Sequence, residues 1–256
     1  MEEHTIVIRG IPVFYRDKGE GETILILHGW PSSSNSWKTV QDDLVHAGFR
    51  VVVPDLPGFG KTPEPPHAWG VVDYMEFVRS FKDELGLHPR ALVGHSFGGR
   101  IAIFYAMRYA HDLPALVLID AAGVFRHART RIKLFVGVTK IGDYIMRFPF
   151  LRFLRPLVRA LLYRIARRRD YVATNGVMRE TFKRVIGESM RPHLPHITAP
   201  TLILWGGKDR LTPLSDARII NDEIPISTLK VFPRAGHSIN LEFPHKVARH
   251  IALFLR

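Results

Sequence analysis

Six short apolar segments, several of them separated by helix-length intervals, constrain the fold of this chain most strongly. They lie at residues 23–27, 50–53, 91–93, 115–119, 201–205 and 229–232. They are apolar throughout rather than alternating, which is typical of strands buried on both faces. Segments at 6–8 and 13–15, with residues 10–12 between them, predict an antiparallel hairpin at one edge. The sequence therefore predicts an α/β fold, with a mostly parallel sheet flanked by helices.

The interval from Gly123 to Arg191 interrupts this pattern. It contains no clear strand, but a set of its apolar residues follows the i, i+3, i+4, i+7 spacing of one helix face. These residues are Phe150, Leu151, Leu154, Leu157, Val158, Leu161, Leu162 and Ile165. We therefore predict that residues 123–191 form an inserted helical cap, and that residues 1–122 and 192–256 form the core.

The formal net charge of +12 at pH 7 is concentrated in the predicted cap. Residues 123–191 contain 17 Lys and Arg against 4 Asp and Glu, whereas the rest of the chain is nearly neutral. Two interpretations stay open: a solvated helix surface, and a basic amphipathic helix that attracts an anionic membrane or an anionic substrate. No nucleic-acid-binding motif accompanies the charge, so we expect no nucleic-acid partner.

Composition excludes several classes of protein. The chain has no cysteine, which rules out disulfides, thiolate catalysis and Cys-based zinc sites. No apolar run approaches the roughly 20 residues that a membrane-spanning helix needs. Residues 1–6 lead into no apolar signal core, so we expect a cytoplasmic protein, with peripheral membrane contact if the basic cap binds lipid.

A candidate nucleophile lies in the segment Gly94-His95-Ser96-Phe97-Gly98, between the predicted strand at 91–93 and a helical pattern at 100–109. On a tight strand-to-helix turn the flanking glycines remove side chains that would clash, and the serine hydroxyl is exposed above the sheet. The motif alone is a weak signal of a catalytic serine, because a chain of this length can contain it by chance. Ser96 therefore needs partners from elsewhere in the sequence.

Candidate partners follow later strands, at the edge where parallel sheets collect functional groups. Asp209 follows the predicted strand at 201–205, and His237 follows the strand at 229–232. A histidine can take the proton of a serine, and an acid can hold that histidine in the useful tautomer. Asp120, at the end of the strand at 115–119, is a second candidate for the acid.

These motifs resemble the α/β-hydrolase family over nearly the whole chain, including the chain order Ser96, Asp209, His237. The matching segments are His28-Gly29-Trp30-Pro31, Pro54 to Gly60, Gly207 to Pro213 and Ala235 to Ser238. The resemblance implies an oxyanion hole made by the backbone N–H groups of Trp30 and Phe97. It also implies a helical cap between the sixth and seventh strands, where the basic insertion falls.

The activity implied by the resemblance is hydrolysis of a carboxylic ester with an apolar acyl or alcohol group, through an acyl-enzyme. The partner is then a small-molecule ester, and the scheme needs neither a metal nor an organic cofactor. Three alternatives stay open: hydrolysis of carbon–carbon bonds in dienoic ketones, lipid hydrolysis at an anionic membrane, and ligand binding without turnover. The oligomeric state is left without an expectation.

Other conspicuous residues receive a structural interpretation. The stretch from Gly58 to Thr62 resembles the end of a phosphate-binding loop, but Asp55 stands where that loop needs its first glycine. His193 and His196 lack a third metal ligand nearby in the sequence. We expect Asp55 to stabilise a turn, and His28 and His95 to support loop geometry.

Overall fold

The computed structural model describes residues 2–124 and 176–256. Its strands form one eight-stranded sheet in the order β1-β2-β4-β3-β5-β6-β7-β8. The strands are β1 (Glu2–Ile8), β2 (Ile11–Lys18), β3 (Thr23–Leu27), β4 (Arg50–Pro54), β5 (Ala91–His95), β6 (Leu116–Ile119), β7 (Thr201–Gly206) and β8 (Ser227–Phe232). Strands β3 to β8 pair in parallel, and only the pairings of β2 with β1 and β4 are antiparallel. The predicted mostly parallel sheet is thus confirmed.

Helices cover both faces of the sheet. Within the two described ranges they are α1 (Lys38–His46), α2 (Val71–Glu84), α3 (Phe97–Arg108), α4 (Gly176–Gly187), α5 (Leu214–Glu223), α6 (Ile239–Glu242) and α7 (Pro244–Leu255). One apolar core lies under α1 and α7, and the other under α2 and α3. Alternate residues of β3 enter opposite cores, Ile24 and Ile26 on one side and Leu25 and Leu27 on the other. This two-sided burial explains why the central strands are apolar. For residues 229–232 the predicted burial on both faces is wrong, because β8 lies at the edge of the sheet and Lys230 and Val231 are exposed.

The hairpin at the sheet edge differs slightly from the prediction. Ile8 pairs with Ile11, so the turn consists of Arg9 and Gly10 rather than residues 10–12. Both turn residues have positive φ angles, 50° and 80°, as a two-residue hairpin turn that follows the strand twist requires. Ile11 and Pro12 belong to β2.

The approach of α3 to the sheet depends on glycine. A Cβ atom at Gly98 would lie 2.2 Å from the carbonyl oxygen of Leu27, and one at Gly94 would lie 2.5 Å from the carbonyl oxygen of Gly98. Both distances are far below van der Waals contact, and the neighbouring atoms are backbone that cannot rotate away. The two glycines therefore allow α3 to begin directly against the end of β3.

Only the two ends of the predicted cap, residues 123–124 and 176–191, lie within the described residues. There α4 is attached to the core at several points: Arg100 Nη1 donates to the carbonyl oxygens of Val185 and Glu188, at 2.7 and 2.5 Å. The Trp69 N–H donates to Thr181 Oγ1 at 3.0 Å. Residues 125–175, including the amphipathic segment at 150–165, lie outside the described residues, so the cap boundaries stay a prediction. In the described ranges, no helix combines the length and apolar character needed to cross a membrane.

Candidate active site

Ser96 occupies the sharp turn between β5 and α3. Its backbone has a φ angle of 51° and a ψ angle of −108°, a conformation that residues other than glycine rarely adopt. The Ser96 N–H donates to the Ile119 carbonyl at 3.0 Å, and the Ala122 N–H donates to the Ser96 carbonyl at 2.9 Å. Backbone hydrogen bonds to the end of β6 therefore hold the turn in its strained conformation.

The structure brings Ser96, His237 and Asp209 into one chain of hydrogen bonds. His237 Nδ1 lies 2.7 Å from Asp209 Oδ2, and His237 Nε2 lies 2.9 Å from Ser96 Oγ. Because a carboxylate can only accept, Nδ1 carries the proton in the neutral ring and Nε2 is left to accept the serine hydroxyl. This tautomer is the one in which a histidine can act as a general base toward serine.

The carboxylate of Asp209 is buried and fully hydrogen-bonded. Its Oδ1 accepts the N–H groups of Leu211 and Thr212 at 2.7 and 3.0 Å, and its Oδ2 accepts the Thr212 hydroxyl at 2.6 Å. Burial raises the pKa of Asp209, but His237 and the Thr212 donors lower it by more, so the pKa lies below its ordinary value. The acid next to His237 is therefore ionised at neutral pH.

Asp120, the second candidate for the acid, makes different contacts. Its Oδ1 accepts the Gly206 N–H at 2.8 Å and its Oδ2 accepts the Ile239 N–H at 3.5 Å. Burial raises the pKa of Asp120 to about 8, against the lowering effect of the Gly206 N–H. Asp209, and not Asp120, is thus the acid that contacts the ring of His237.

The two amides proposed for the oxyanion hole lie in suitable surroundings. Phe97 is the first residue of α3, where an N–H group has no acceptor within the helix. A Cβ atom at Gly29 would lie 3.2 Å from the Cβ atom of Ser96, which places the oxyanion loop, residues 28–31, beside the nucleophile. Within residues 2–124 and 176–256, neither the Trp30 nor the Phe97 N–H donates to another backbone group. An oxyanion hole needs donors of this kind.

His28 and Asp55 tie the oxyanion loop to the turn after β4. The Leu56 N–H donates to His28 Nε2 at 3.0 Å, so His28 Nδ1 carries the proton and donates to the Gly29 carbonyl at 2.9 Å. Burial lowers the pKa of His28, which keeps the ring neutral. Asp55 accepts the N–H groups of Ser34 and Lys61 at 2.7 and 2.8 Å.

An aromatic cluster borders the site and includes a residue of α4. The ring of Trp30 packs edge-on against Phe59, Phe97 and Phe182, with centroid separations of 4.7, 5.5 and 5.1 Å. Met178 of α4 is packed against Gly58, where a Cβ atom would collide with its sulfur. This border is apolar, as binding of an apolar group requires.

Sequence reasoning missed Thr212 and Phe182. Thr212 stands three residues after Asp209, and an Asp side chain commonly accepts backbone N–H groups two or three residues further along the chain, so a local signal existed. Phe182 carried no such signal, because its contact with Trp30 joins segments far apart in sequence. His193, considered as a metal ligand, packs its ring against Phe104 at a centroid separation of 4.7 Å.

A model of the α/β-hydrolase fold family matches residues 22–244. The chain belongs to the α/β-hydrolase fold family. This α/β hydrolase is 28% identical to a 2-hydroxy-6-oxononadienedioate/2-hydroxy-6-oxononatrienedioate hydrolase of Comamonas testosteroni, over 88% of this chain and 84% of that protein. It is 27% identical to a monoacylglycerol lipase of Xenopus laevis, over 93% of this chain and 76% of the lipase. Its fold matches the crystal structure of a membrane phospholipase A described as a bacterial virulence factor, with a TM-score of 0.78, 27% identity and coverage of 99% and 85% of the two chains.

The hydroxyl of Thr212 has one proton, and two acceptors surround it: Asp209 Oδ2 at 2.6 Å and the Asp120 carbonyl at 3.2 Å. His237 Nδ1, which carries a proton itself, lies 3.2 Å from the same oxygen and cannot accept from it. The contact to Asp209 is the shorter one and its acceptor is charged, so Asp209 Oδ2 takes the proton of Thr212. We expect Thr212→Val to lower kcat/KM for an ester about tenfold, since one hydrogen bond to the carboxylate is lost. Thr212→Ser keeps the hydroxyl and should stay close to the wild type. Equal rates in the valine and serine variants would contradict this role.

The buried carboxyl of Asp120 should make stability depend on pH. Its pKa rises from 3.8 in an ordinary environment to about 8 in the folded protein. Between these values the native state holds a proton that the unfolded state has lost, so this group's contribution to stability declines as the pH rises from about 4 to about 8. Asp120→Asn removes the titration, and the variant should gain stability relative to the wild type across that range. Urea unfolding at several pH values measures the difference, and parallel curves would show that Asp120 ionises normally.

Proposed function

We propose that this α/β hydrolase is a serine hydrolase that cleaves carboxylic esters with an apolar acyl or alcohol group. The observation that carries the proposal is the continuous chain of hydrogen bonds from Asp209 through His237 to Ser96. A serine hydroxyl is a weak nucleophile at neutral pH, and this arrangement supplies both the base that activates it and the acid that orients the base.

In the first half of the reaction, Ser96 Oγ attacks the ester carbonyl carbon while its proton moves to His237 Nε2. The carbonyl electron pair moves to oxygen, where the Trp30 and Phe97 N–H groups stabilise the developing charge. His237 is now an imidazolium, and the Asp209 carboxylate stabilises it without taking its proton. Collapse of the tetrahedral intermediate breaks the bond to the alcohol oxygen, which leaves with the proton from His237.

In the second half, water takes the place of the alcohol. His237 Nε2 accepts a proton from water as its oxygen attacks the acyl carbon, and the same two N–H groups stabilise the second oxyanion. Collapse of this intermediate releases the carboxylic acid and returns the proton to Ser96. These steps use only groups of the chain, the ester and water.

Two features favour esters over the carbon–carbon substrates named for the Comamonas relative. The name of that relative describes a dienedioate, a substrate that carries carboxylates. The described border of the site consists of aromatic rings, and the nearby buried cation Arg100 is already bound to two backbone carbonyls of the α4 segment. A neutral carbonyl substrate suits that border better than a dianion. Carbon–carbon hydrolysis stays the second candidate because the relative itself favours it.

The decisive test is hydrolysis of p-nitrophenyl esters of graded acyl length, together with fluorophosphonate labelling. We expect turnover and labelling in the wild type, and a loss of turnover of at least about 10³-fold in Ser96→Ala, because the nucleophile is removed. Ser215→Ala, which changes an exposed serine on α5, is the matched control and should behave like the wild type.

Other outcomes of this test separate the alternatives. Faster turnover of 2-hydroxy-6-oxo-6-phenylhexa-2,4-dienoate than of any ester would favour the carbon–carbon hydrolase. Labelling of Ser96 without turnover of either substrate class would favour a ligand-binding protein. Activity that survives in Ser96→Ala would contradict the serine mechanism.

We further propose that the basic segment brings the enzyme to anionic membranes, where its ester substrate is a lipid. Two relatives are named for lipid substrates, and residues 123–191 contain 17 basic against 4 acidic residues. Each Lys or Arg near an anionic surface contributes attraction that salt screens. The lipid proposal is independent of which acyl chain the site prefers.

Vesicle sedimentation tests the membrane proposal. The protein should pellet with phosphatidylglycerol vesicles at low salt, stay in solution with phosphatidylcholine vesicles, and dissociate as salt is added. Replacing Arg167, Arg168 and Arg169 with glutamine should weaken pelleting. A control with the same charge change replaces Lys230, Lys246 and Arg249, which are exposed on the core, and should pellet like the wild type. Equal recovery from both lipids at low salt would contradict the proposal.

A further inference from the structure

His95 lies directly before Ser96 at the end of β5, yet its side chain contacts a distant part of the chain. The imidazole is buried, and its Nε2 lies 2.8 Å from the backbone carbonyl oxygen of His237. A direct contact therefore joins the segment of the nucleophile to the backbone of the base, 142 residues apart in sequence.

The direction of this hydrogen bond follows from its acceptor. A carbonyl oxygen can only accept, so His95 Nε2 carries a proton and donates it. Burial, together with the positive charge that His237 can carry, lowers the pKa of His95 to about 4. The ring is therefore neutral at physiological pH, and its single N–H group is the one committed to the His237 carbonyl.

The other edge of the same ring is packed against the oxyanion loop. A Cβ atom at Gly29 would lie 2.8 Å from His95 Nδ1 and 3.2 Å from its Cε1, so the ring rests on the Gly29 backbone. Trp37 approaches at a centroid separation of 6.4 Å. One rigid imidazole thus contacts the loop that carries the base and the loop that carries an oxyanion donor, and it is the side chain of the residue directly before the nucleophile.

We propose that His95 is a positioning residue whose N–H···O bond to the His237 carbonyl sets the separation between His237 Nε2 and Ser96 Oγ. This inference rests on the proposed serine mechanism. Proton transfer between the hydroxyl and the imidazole requires hydrogen-bond distance, and a small displacement of a catalytic group lowers the rate strongly. Loss of the bond should therefore slow acylation of Ser96 and leave substrate binding nearly unchanged.

Two amide variants of His95 differ in how far the side-chain nitrogen lies from Cα. They therefore distinguish a role of the hydrogen bond in positioning His237 from a role of the ring in packing alone. In His95→Gln the side-chain nitrogen is as many bonds from Cα as imidazole Nε2, so it can donate to the His237 carbonyl. In His95→Asn the nitrogen is one bond closer to Cα than imidazole Nε2, so it stops short of that carbonyl. Phe81→Leu, in the core between α2 and the sheet, serves as a control for loss of stability alone.

The readouts are the rate constant of fluorophosphonate labelling at Ser96, kcat and KM for p-nitrophenyl butyrate, and urea unfolding. We expect His95→Asn to reduce the labelling rate constant and kcat about five- to tenfold, the range for one lost hydrogen bond, with KM within about twofold. His95→Gln should recover rates within about twofold of the wild type. Phe81→Leu should lose stability without slowing the labelling of folded protein.

The outcomes that overturn the inference differ from those that overturn the proposed function. Wild-type rates in His95→Asn, or equal losses in the asparagine and glutamine variants, would show that the hydrogen bond does not position the base. A matching loss in Phe81→Leu would assign the effect to stability and overturn the inference as well. A wild-type protein that is neither labelled nor active would overturn the serine mechanism, and the positioning role with it.

Discussion

The backbone turn at Ser96 is the constraint around which the rest of this structure is arranged. A positive φ angle at a residue with a side chain is unfavourable, and it persists only where the surroundings hold it. Here the absence of a Cβ atom at Gly94 and Gly98 lets α3 begin within contact of β3. The Ser96 hydroxyl therefore lies at the carboxyl edge of the sheet, where the loops after β3, β7 and β8 begin. Trp30, Asp209 and His237 approach that fixed point from these three loops.

Residues 119–122, at the end of β6, connect the turn at Ser96 to the end of β7 and to α6. The Ile119 carbonyl accepts from the Ser96 N–H, and the Asp120 carboxyl group accepts from the Gly206 and Ile239 N–H groups. The backbone of Asp120 also has a positive φ angle, 44°. Backbone strain and a buried carboxyl group thus occur together in one short segment. This segment contacts the turn at Ser96, the end of β7 that leads to Asp209, and α6, which follows His237. The segment therefore stabilises the relative positions of the Ser96 turn, the end of β7 and the start of α6, which are far apart in sequence.

Much of this arrangement follows from sequence, because its causes are local. Two-sided burial makes strands such as β3 uniformly apolar, and the requirement for glycine around Ser96 is visible in the motif. The choice between Asp120 and Asp209 was open, since both follow neighbouring parallel strands. Of the two, only Asp209 lies against the His237 ring, and this contact supports Asp209 as the candidate acid. The hairpin turn was predicted at residues 10–12, and this position is wrong. The turn consists of Arg9 and Gly10, because Ile11 and Pro12 belong to β2.

The interactions that sequence could not give are those between side chains and distant backbone. The bond from His95 to the His237 carbonyl depends on how β5 and the loop after β8 are placed, and no pattern near residue 95 encodes its partner. The same holds for Phe182 against Trp30, which requires α4 to lie over the oxyanion loop. Residue type alone indicated a supporting role for the histidine and left its partner unspecified.

The attachment of α4 has a consequence for how such proteins can be recombined. Arg100, one turn into the helix that follows the nucleophile, holds the carbonyls of Val185 and Glu188, and Thr181 holds the Trp69 N–H. Although α4 falls within the inserted segment by sequence, its partners make it part of the core layer. A chimaera that exchanges insertions between relatives should therefore be joined before Gly176 rather than at Arg191, because the later junction would replace the residues that Arg100 caps. The hydrogen bonds of α4 to the core thus favour a junction inside the predicted cap at residues 123–191, and the bounds of that cap stay a prediction.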